Sequence, residues 1–187
     1  MGMIVGVTGR RGAGKSEAAR LLRERGFEIV AMGAILRQMM VDRGIEPEEH
    51  NLRAFILDVR AELGEEVLAI ETLEKINRMR SPKVAIIGIR TPAEINFFKR
   101  QFGNNLVTIA VMADDKTRFD RVRMRGRADD PRTRNEFMEY KNKIESKLQS
   151  ESFQGRGKPY NKDNASKESV MGRLTINNPK FLYRLLW

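Results

Sequence analysis

The sequence contains no cysteine and only one histidine, His50, in 187 residues. Without cysteine there is no disulfide framework, no thiolate nucleophile and no cysteine-based metal site. A single histidine excludes a metal site built from several, and a Ser-His-Asp triad would have to use His50. Aromatic residues make up only 7%, but hydrophobic residues reach 41%. The chain can therefore build a core, and we expect a single domain over residues 1–187.

Long hydrophobic runs are also missing. The longest apolar stretches, residues 84–87 and 106–113, have the length of strands, whereas a membrane-spanning helix needs about 20 apolar residues. The first residues, Met-Gly-Met-Ile-Val-Gly-Val-Thr, lack the basic start and long apolar run of a secretory signal. We therefore expect a cytoplasmic protein with no membrane partner.

Acidic residues are the minority among the charged ones. The chain has 35 Lys and Arg residues and 25 Asp and Glu residues, which gives a formal net charge of +10. This excess favours anionic partners such as nucleotides, coenzymes or nucleic acid. A protein that merely has a basic, solvated surface explains the charge equally well, so charge alone does not choose between these readings.

Short apolar runs alternate with helical patterns along the chain, which is typical of an α/β fold. Strands are predicted at 3–8, 27–31, 83–89, 105–112 and 174–177. Helices are predicted at 16–25, 33–64 with a break near Gly44 and Pro47, 65–80, 92–102, 114–125, 134–150 and 179–187. The alternation predicts three layers, with helices on both faces of a five-stranded, mostly parallel sheet. Residues 151–168 are polar and rich in Gly, Ser, Asn and Lys, which predicts a mobile loop.

Two helix starts carry recognisable caps. Thr91 and Glu94 have the spacing of a capping box, with Pro92 in the first turn. Asp114 and Asp115 follow the fourth predicted strand, and we expect them to cap the next helix rather than to bind a metal.

A glycine-rich segment between the first strand and the first helix fits the pattern G-x-x-x-x-G-K-[ST], a phosphate-binding loop or P-loop. Glycines let the backbone turn its N–H groups toward phosphate oxygens, and the helix that follows directs its positive end at the same anion. Lys15 is predicted to contact the β- and γ-phosphates as a catalytic residue, and the Ser16 hydroxyl to bind Mg²⁺. The residues predicted to bind the nucleotide are Gly9, Gly12, Ala13, Gly14, Lys15, Ser16 and Glu17.

The motif predicts the three-layer P-loop NTPase fold and a nucleoside triphosphate, ATP or GTP, as ligand; the alternative is a tight glycine turn with no ligand. A guanine-specific Asn-Lys-x-Asp motif is missing, because Asn142-Lys143 is followed by Ile144-Glu145. This disfavours a regulatory GTPase. A motif near the start of a small chain is typical of compact kinases of nucleotides and coenzymes.

Three segments resemble a known family. They are residues 4–17 with the P-loop, residues 30–37 with Met32-Gly33 and a following Arg37, and residues 87–131 with Gly88-Ile89-Arg90 and Arg-Gly-Arg-x-Asp-Asp-Pro. The chain resembles P-loop kinases of the nucleoside-monophosphate-kinase group, above all archaeal proteins related to dephospho-coenzyme A kinase and adenylate kinase.

The resemblance implies an ATP-dependent, Mg²⁺-dependent small-molecule kinase with a nucleotide-like or coenzyme acceptor. It implies an acceptor-binding helical region at 33–80 and a lid at 125–140. Arg37 and Arg90 would hold the acceptor phosphate, with Arg134 as a further substrate-binding residue. Arg127 would be a catalytic lid arginine that stabilises charge on the transferred phosphoryl group.

At two positions the chain departs from the family. The family has an acid after Met-Gly, where this chain has Ala34, and another before Gly-Ile-Arg, where this chain has Ile87. Such acids organise Mg²⁺ or the acceptor hydroxyl. Their replacement supports an alternative function: a catalytically weakened P-loop protein that binds a nucleotide and an RNA or protein partner.

Overall fold

The computed structural model describes residues 2–126, 130–142 and 174–176. The strands in chain order are β1 (Met3–Thr8), β2 (Glu28–Ala31), β3 (Lys83–Ile89), β4 (Leu106–Val111) and the short β5 (Leu174–Ile176). The helices are α1 (Lys15–Glu24), α2 (Met32–Asp42), α3 (Glu49–Leu63), α4 (Val67–Met79), α5 (Pro92–Phe102), α6 (Asp115–Arg125) and α7 (Arg134–Tyr140). The predicted α/β alternation is confirmed. The loop predicted at 151–168 and the helix predicted at 179–187 lie outside the described residues.

The body of the sheet has four parallel strands in the order β2-β3-β1-β4. The segment predicted as the fifth strand contributes only the three residues of β5, antiparallel to the end of β4. Since β1 lies between β3 and β4, the segment that follows β1 emerges in the middle of the carboxyl edge of the sheet.

Alternation along the strands divides the core between the two faces of the sheet. Val5 and Val7 face α1, whereas Ile4 faces the side covered by α2, α4 and α5. The α1 side also contains Leu22, Phe27, Ala85, Val107, Ile109 and Val111. The opposite side also contains Val30, Ile35, Leu68, Ile76, Val84, Ile86, Phe97, Phe98 and Phe102. Helices therefore cover both faces, as predicted. Among the described residues, no helix is long and apolar enough to cross a membrane.

A bulge shifts the pairing of β1 and β3 at their carboxyl ends. Val7 pairs with Ile87 but Thr8 pairs with Ile89, so Gly88 is the extra residue, and its φ of +98° suits glycine. The Thr8 hydroxyl donates to the Ile89 carbonyl at 2.9 Å. The chain therefore leaves β3 at Arg90 directly beside the end of β1.

A buried carboxylate holds the start of α5. The predicted capping box is confirmed: Thr91 Oγ1 accepts from the Glu94 backbone N–H at 3.2 Å, and Glu94 Oε2 accepts from the N–H groups of Arg90 at 2.7 Å and Thr91 at 3.2 Å. Glu94 Oε1 accepts from Arg60 of α3 at 2.9 Å. The Glu94 side chain is 1% exposed, so this carboxylate joins α3 to the end of β3.

Asp114 confirms the other predicted cap, because its side chain accepts from the Thr117 backbone N–H at 2.8 Å. Two hydrogen bonds from Thr117, one from its backbone N–H and one from its hydroxyl, hold the pKa of Asp114 below its ordinary value. The cap fixes where α6 begins, and therefore which of its side chains face the P-loop.

Candidate functional site

The loop between β1 and α1 has the backbone that the motif predicts. Gly9, Gly12 and Gly14 have φ values of +149°, +77° and +110°, a region that residues with a side chain rarely adopt. A Cβ on Gly9 would lie 2.5 Å from the Val111 carbonyl oxygen, and a Cβ on Gly12 would lie 2.5 Å from that of Arg118. These glycines are thus required both by conformation and by the close approach of β4 and α6.

Lys15 holds the first half of the loop. Its Nζ donates to the carbonyl oxygens of Gly9 at 2.7 Å and Arg10 at 2.9 Å. The Arg10 oxygen also accepts from the Ala13 N–H at 3.1 Å, and Ala13 itself is buried. The predicted catalytic ammonium therefore lies against the loop that would receive the phosphates.

Helix α6 holds the second half of the loop through two arginines that were not predicted from the sequence as site residues. Arg118 Nε donates to the Arg11 carbonyl at 2.9 Å, and Arg121 Nη1 donates to the Ala13 carbonyl at 3.1 Å. A signal was available, because Arg118 precedes the buried Val122 by four residues and so lies on the inward face of the helix.

The first turn of α1 brings Ser16 and Glu17 to the same end of the sheet. Gly14 is the N-cap of the helix and has no side chain, so no capping side chain covers the positive end of α1. The Ser16 side chain is exposed, as a metal-binding hydroxyl requires. The Glu17 carboxylate pairs with Arg20 on the exposed face of the helix, and hydrogen bonding from Arg20 holds the pKa of Glu17 below its ordinary value.

Arg118 is 1% exposed and, among the residues that the structure describes, is the largest side chain so deeply buried. Its Nη1 donates to Asp115 at 3.0 Å, and its guanidinium lies 5.2 Å from the centre of the Phe137 ring of α7. Lys141 donates to the other oxygen of Asp115 at 2.5 Å. This hydrogen bond is the main cause that holds the pKa of Asp115 below its ordinary value. The P-loop, α6 and α7 are therefore joined through one guanidinium.

The region predicted as a lid is anchored by Asp130. Arg125 donates to both oxygens of this buried carboxylate, at 2.6 and 2.5 Å, and Arg11 of the P-loop lies 3.8 Å from it. Such a two-pronged pair is strong and directional. Arg127, the predicted catalytic arginine, lies outside the described residues.

The three predicted acceptor-binding arginines all have exposed side chains. Arg90 follows β3 beside the end of β1, whereas Arg37 lies in α2, directly after β2. Arg37 Nη1 donates to the Gly33 carbonyl at 3.1 Å. Arg134 begins α7. Arg90 thus directly follows the end of β3 and Arg37 lies within the helix that follows β2, whereas Arg134 belongs to the unit formed by α6 and α7.

The two positions where the family has acids differ in environment. Ala34 is exposed in the first turn of α2, which has no acidic residue. Ile87 is half-buried and packs with the apolar cluster on the α1 side.

Within the described residues, no group of three or more Asp, Glu, His or Cys side chains is placed to hold a metal. Mg²⁺ prefers oxygen ligands and commonly keeps several waters while it bridges substrate phosphates. The Ser16 hydroxyl fits this chemistry as a single protein ligand.

A family model described as an AAA domain matches residues 5–142. The UPF0200 protein of Pyrococcus horikoshii is 41% identical over 140 residues, which are 73% of this chain and 75% of that protein. A UPF0200 protein of Methanosarcina mazei is 34% identical over 127 residues, or 68% of each chain. Among solved structures, one of a Thermus thermophilus protein has a TM-score of 0.49 at 23% identity, covering 75% of this chain and 79% of that one. Shikimate kinase from Acinetobacter baumannii in complex with shikimate has a TM-score of 0.48 at 18% identity, covering 79% and 78%.

Proposed function

The chain belongs to the UPF0200 family and to the family of AAA domains, and from this membership and its P-loop we propose that it is an ATP-dependent small-molecule kinase. It transfers the γ-phosphoryl group of ATP to a nucleotide-like or coenzyme acceptor, of the nucleoside monophosphate or dephospho-coenzyme A type. The observation that carries the proposal is the conformation of residues 9–16, in which three positive-φ glycines and Lys15 form an anion-receptive loop at the start of α1.

On the nucleotide side, the residues act by position and charge. The N–H groups at the start of α1 and the helix dipole favour the β-phosphate, and Lys15 adds a positive charge beside the loop. Because phosphoryl transfer spreads negative charge over the moving group, fixed cations stabilise its transition state. Mg²⁺, held through the Ser16 hydroxyl, would supply further positive charge at the phosphates.

On the acceptor side, Arg37 of α2 and Arg90, which follows β3, would hold the acceptor phosphate. Arginine matches a phosphate with two parallel hydrogen bonds, so an acceptor that already carries a phosphate fits this pair. Helices α2, α3 and α4 form the region predicted to enclose the rest of the acceptor. Arg127 and Arg134 would complete the site from the lid side and exclude water, which otherwise accepts the phosphoryl group.

A second candidate function is supported by Ile87. A half-buried apolar residue occupies the end of β3, where the resembling family has an acid, and the chain carries a net charge of +10. A P-loop protein that binds a nucleotide and an RNA partner, with little transfer activity, accounts for both observations.

An ATP-consumption screen across nucleoside monophosphates, deoxynucleotides and dephospho-coenzyme A separates the two functions. The kinase predicts ADP formation that requires one acceptor class, and Lys15→Ala lowers this turnover or the ATP affinity at least tenfold, about 1.4 kcal/mol. Lys99→Ala, an exposed lysine on α5, is the matched control and leaves both unchanged. ADP formation that no acceptor stimulates, together with RNA binding that weakens steeply with salt, would favour the second function.

A further inference from the structure

The carbonyl oxygens in the second half of the P-loop face α6 and are held there by charged donors. Arg118 Nε holds the oxygen of Arg11 at 2.9 Å, and Arg121 Nη1 holds the oxygen of Ala13 at 3.1 Å. Both arginines lie on one helix, more than one hundred positions from their acceptors. Gly12 directly follows Arg11 and Gly14 directly follows Ala13, so each held carbonyl shares its peptide with the N–H of a glycine.

A planar trans peptide points its C=O and its N–H in opposite directions. When Arg118 fixes the Arg11 oxygen toward α6, the N–H of Gly12 points to the opposite side of the same peptide. Arg121 does the same for the N–H of Gly14. Glycines with φ of +77° and +110° sit in a broad conformational region, so their peptide planes can rotate unless something outside the loop holds them.

We infer that Arg118, together with Arg121, is a positioning residue for phosphate binding: these arginines hold the two glycine peptides of the P-loop with their N–H groups directed at the anion. A charged donor on the oxygen also polarises the peptide and strengthens its N–H as a donor. This inference rests on the proposed nucleotide site and adds residues outside the G-x-x-x-x-G-K-[ST] motif that prepare it.

Packing alone does not account for an arginine at this position. Arg118 is 1% exposed, and burying a guanidinium carries a desolvation cost that a well-packed apolar side chain avoids. The neighbouring Val122 and Phe137 would accept such a side chain. Arg118 instead directs Nε at the loop and Nη1 at Asp115, so its charge is compensated while one donor stays on the P-loop.

The test compares three arginines of α6. Arg118→Met and Arg121→Met keep a long side chain but remove the donors, and Arg123→Met is the matched control because Arg123 is exposed. Inorganic tripolyphosphate and ATP are titrated by calorimetry into each full-length protein, after thermal unfolding has shown that the variant is folded. We expect the first two variants to bind tripolyphosphate at least tenfold more weakly and Arg123→Met to bind it as the parent does.

A second readout, the NMR resonances of the glycine amides, follows the two peptides directly. A merely structural role of the arginines would not shift one of these resonances selectively. The amide resonance of Gly12 is expected to shift in Arg118→Met and that of Gly14 in Arg121→Met, with both unmoved in Arg123→Met. A folded Arg118→Met protein with parental affinity and an unmoved Gly12 resonance overturns the inference. If Arg118→Met does not fold, Arg118→Lys and Arg121→Met decide by the same criteria. If the parent binds neither probe, the proposed function fails, and the two glycine resonances still judge the positioning role.

Discussion

Glu94 offers the sharpest test of how α3 and the start of α5 are held to the end of β3. Its carboxylate is 1% exposed and accepts three hydrogen bonds, from the backbone N–H groups of Arg90 and Thr91 and from the Arg60 side chain. In Glu94→Ala all three donors lose their acceptor. The Arg60 side chain is only 13% exposed, and without Glu94 it keeps only the longer contact with the exposed Glu65, at 3.6 Å.

Removing one partner of a buried ion pair costs about 3–5 kcal/mol, since the remaining charge stays desolvated. A domain is stable by about 5–15 kcal/mol, so Glu94→Ala should leave a marginal protein. Glu94→Gln keeps the shape and one acceptor oxygen but loses the charge, and we expect it to cost less than Glu94→Ala.

Urea unfolding followed by circular dichroism measures both variants. The control is Glu136→Ala, because Glu136 closes the second capping box of the molecule, at α7, from an exposed position. It should cost clearly less than Glu94→Ala, since no buried guanidinium depends on it. If the free energy of unfolding of Glu94→Ala lies within about 1 kcal/mol of the parent value, the buried pair does not hold α3 to β3 and the reasoning fails.

Three further predictions concern other parts of the molecule. Gly12→Ala should lower both the stability and the nucleotide affinity measured by calorimetry, because its Cβ would lie 2.5 Å from a carbonyl oxygen of α6. Gly26→Ala is the control: its φ is +80° but the space around it is open, so it should cost only backbone strain and bind nucleotide normally. Asp115→Asn should lower the free energy of unfolding most above about pH 5. The fold lowers the pKa of Asp115, chiefly through the hydrogen bond from Lys141. The carboxylate therefore stabilises the fold above its unfolded pKa of about 4, and this stabilisation disappears as pH falls through the lower folded pKa. A deficit that grows toward acid would contradict this sign. Ala34→Asp should raise acceptor-dependent ATP turnover with no loss of thermal stability, since an acid in the first turn of α2 also favours the helix dipole, and unchanged turnover with every acceptor would count against the kinase.

Local signals in the sequence predicted local structure well. β3 was predicted with its observed bounds, and the capping box of Thr91 and Glu94 and the Gly-rich loop lie where their residue types require them. Helix α2 begins one residue before its predicted start, because Ala31 precedes it with no side-chain cap to mark the boundary.

Contacts between distant segments were beyond the reach of local patterns. The pairing of Glu94 with Arg60 spans 34 positions, and that of Arg118 with the Arg11 carbonyl spans 107. No window of the sequence contains both partners, and an arginine on a helix is typically exposed to solvent. The candidate site was therefore predicted where a motif is contiguous and missed where α6 supports the motif from outside.

The central place of β1 has a consequence for how the protein is made. When β1 leaves the ribosome it has neither of its neighbours yet, because Ile89, the partner of Thr8, is translated 81 positions later and β4 later still. At about 5–20 residues per second, the nascent P-loop spends several seconds without the surroundings that shape it. A truncated chain that ends before α6 would carry every residue of the motif and still lack its supports. The motif alone therefore does not complete the site, and nucleotide binding during synthesis has to wait until α6 has been translated.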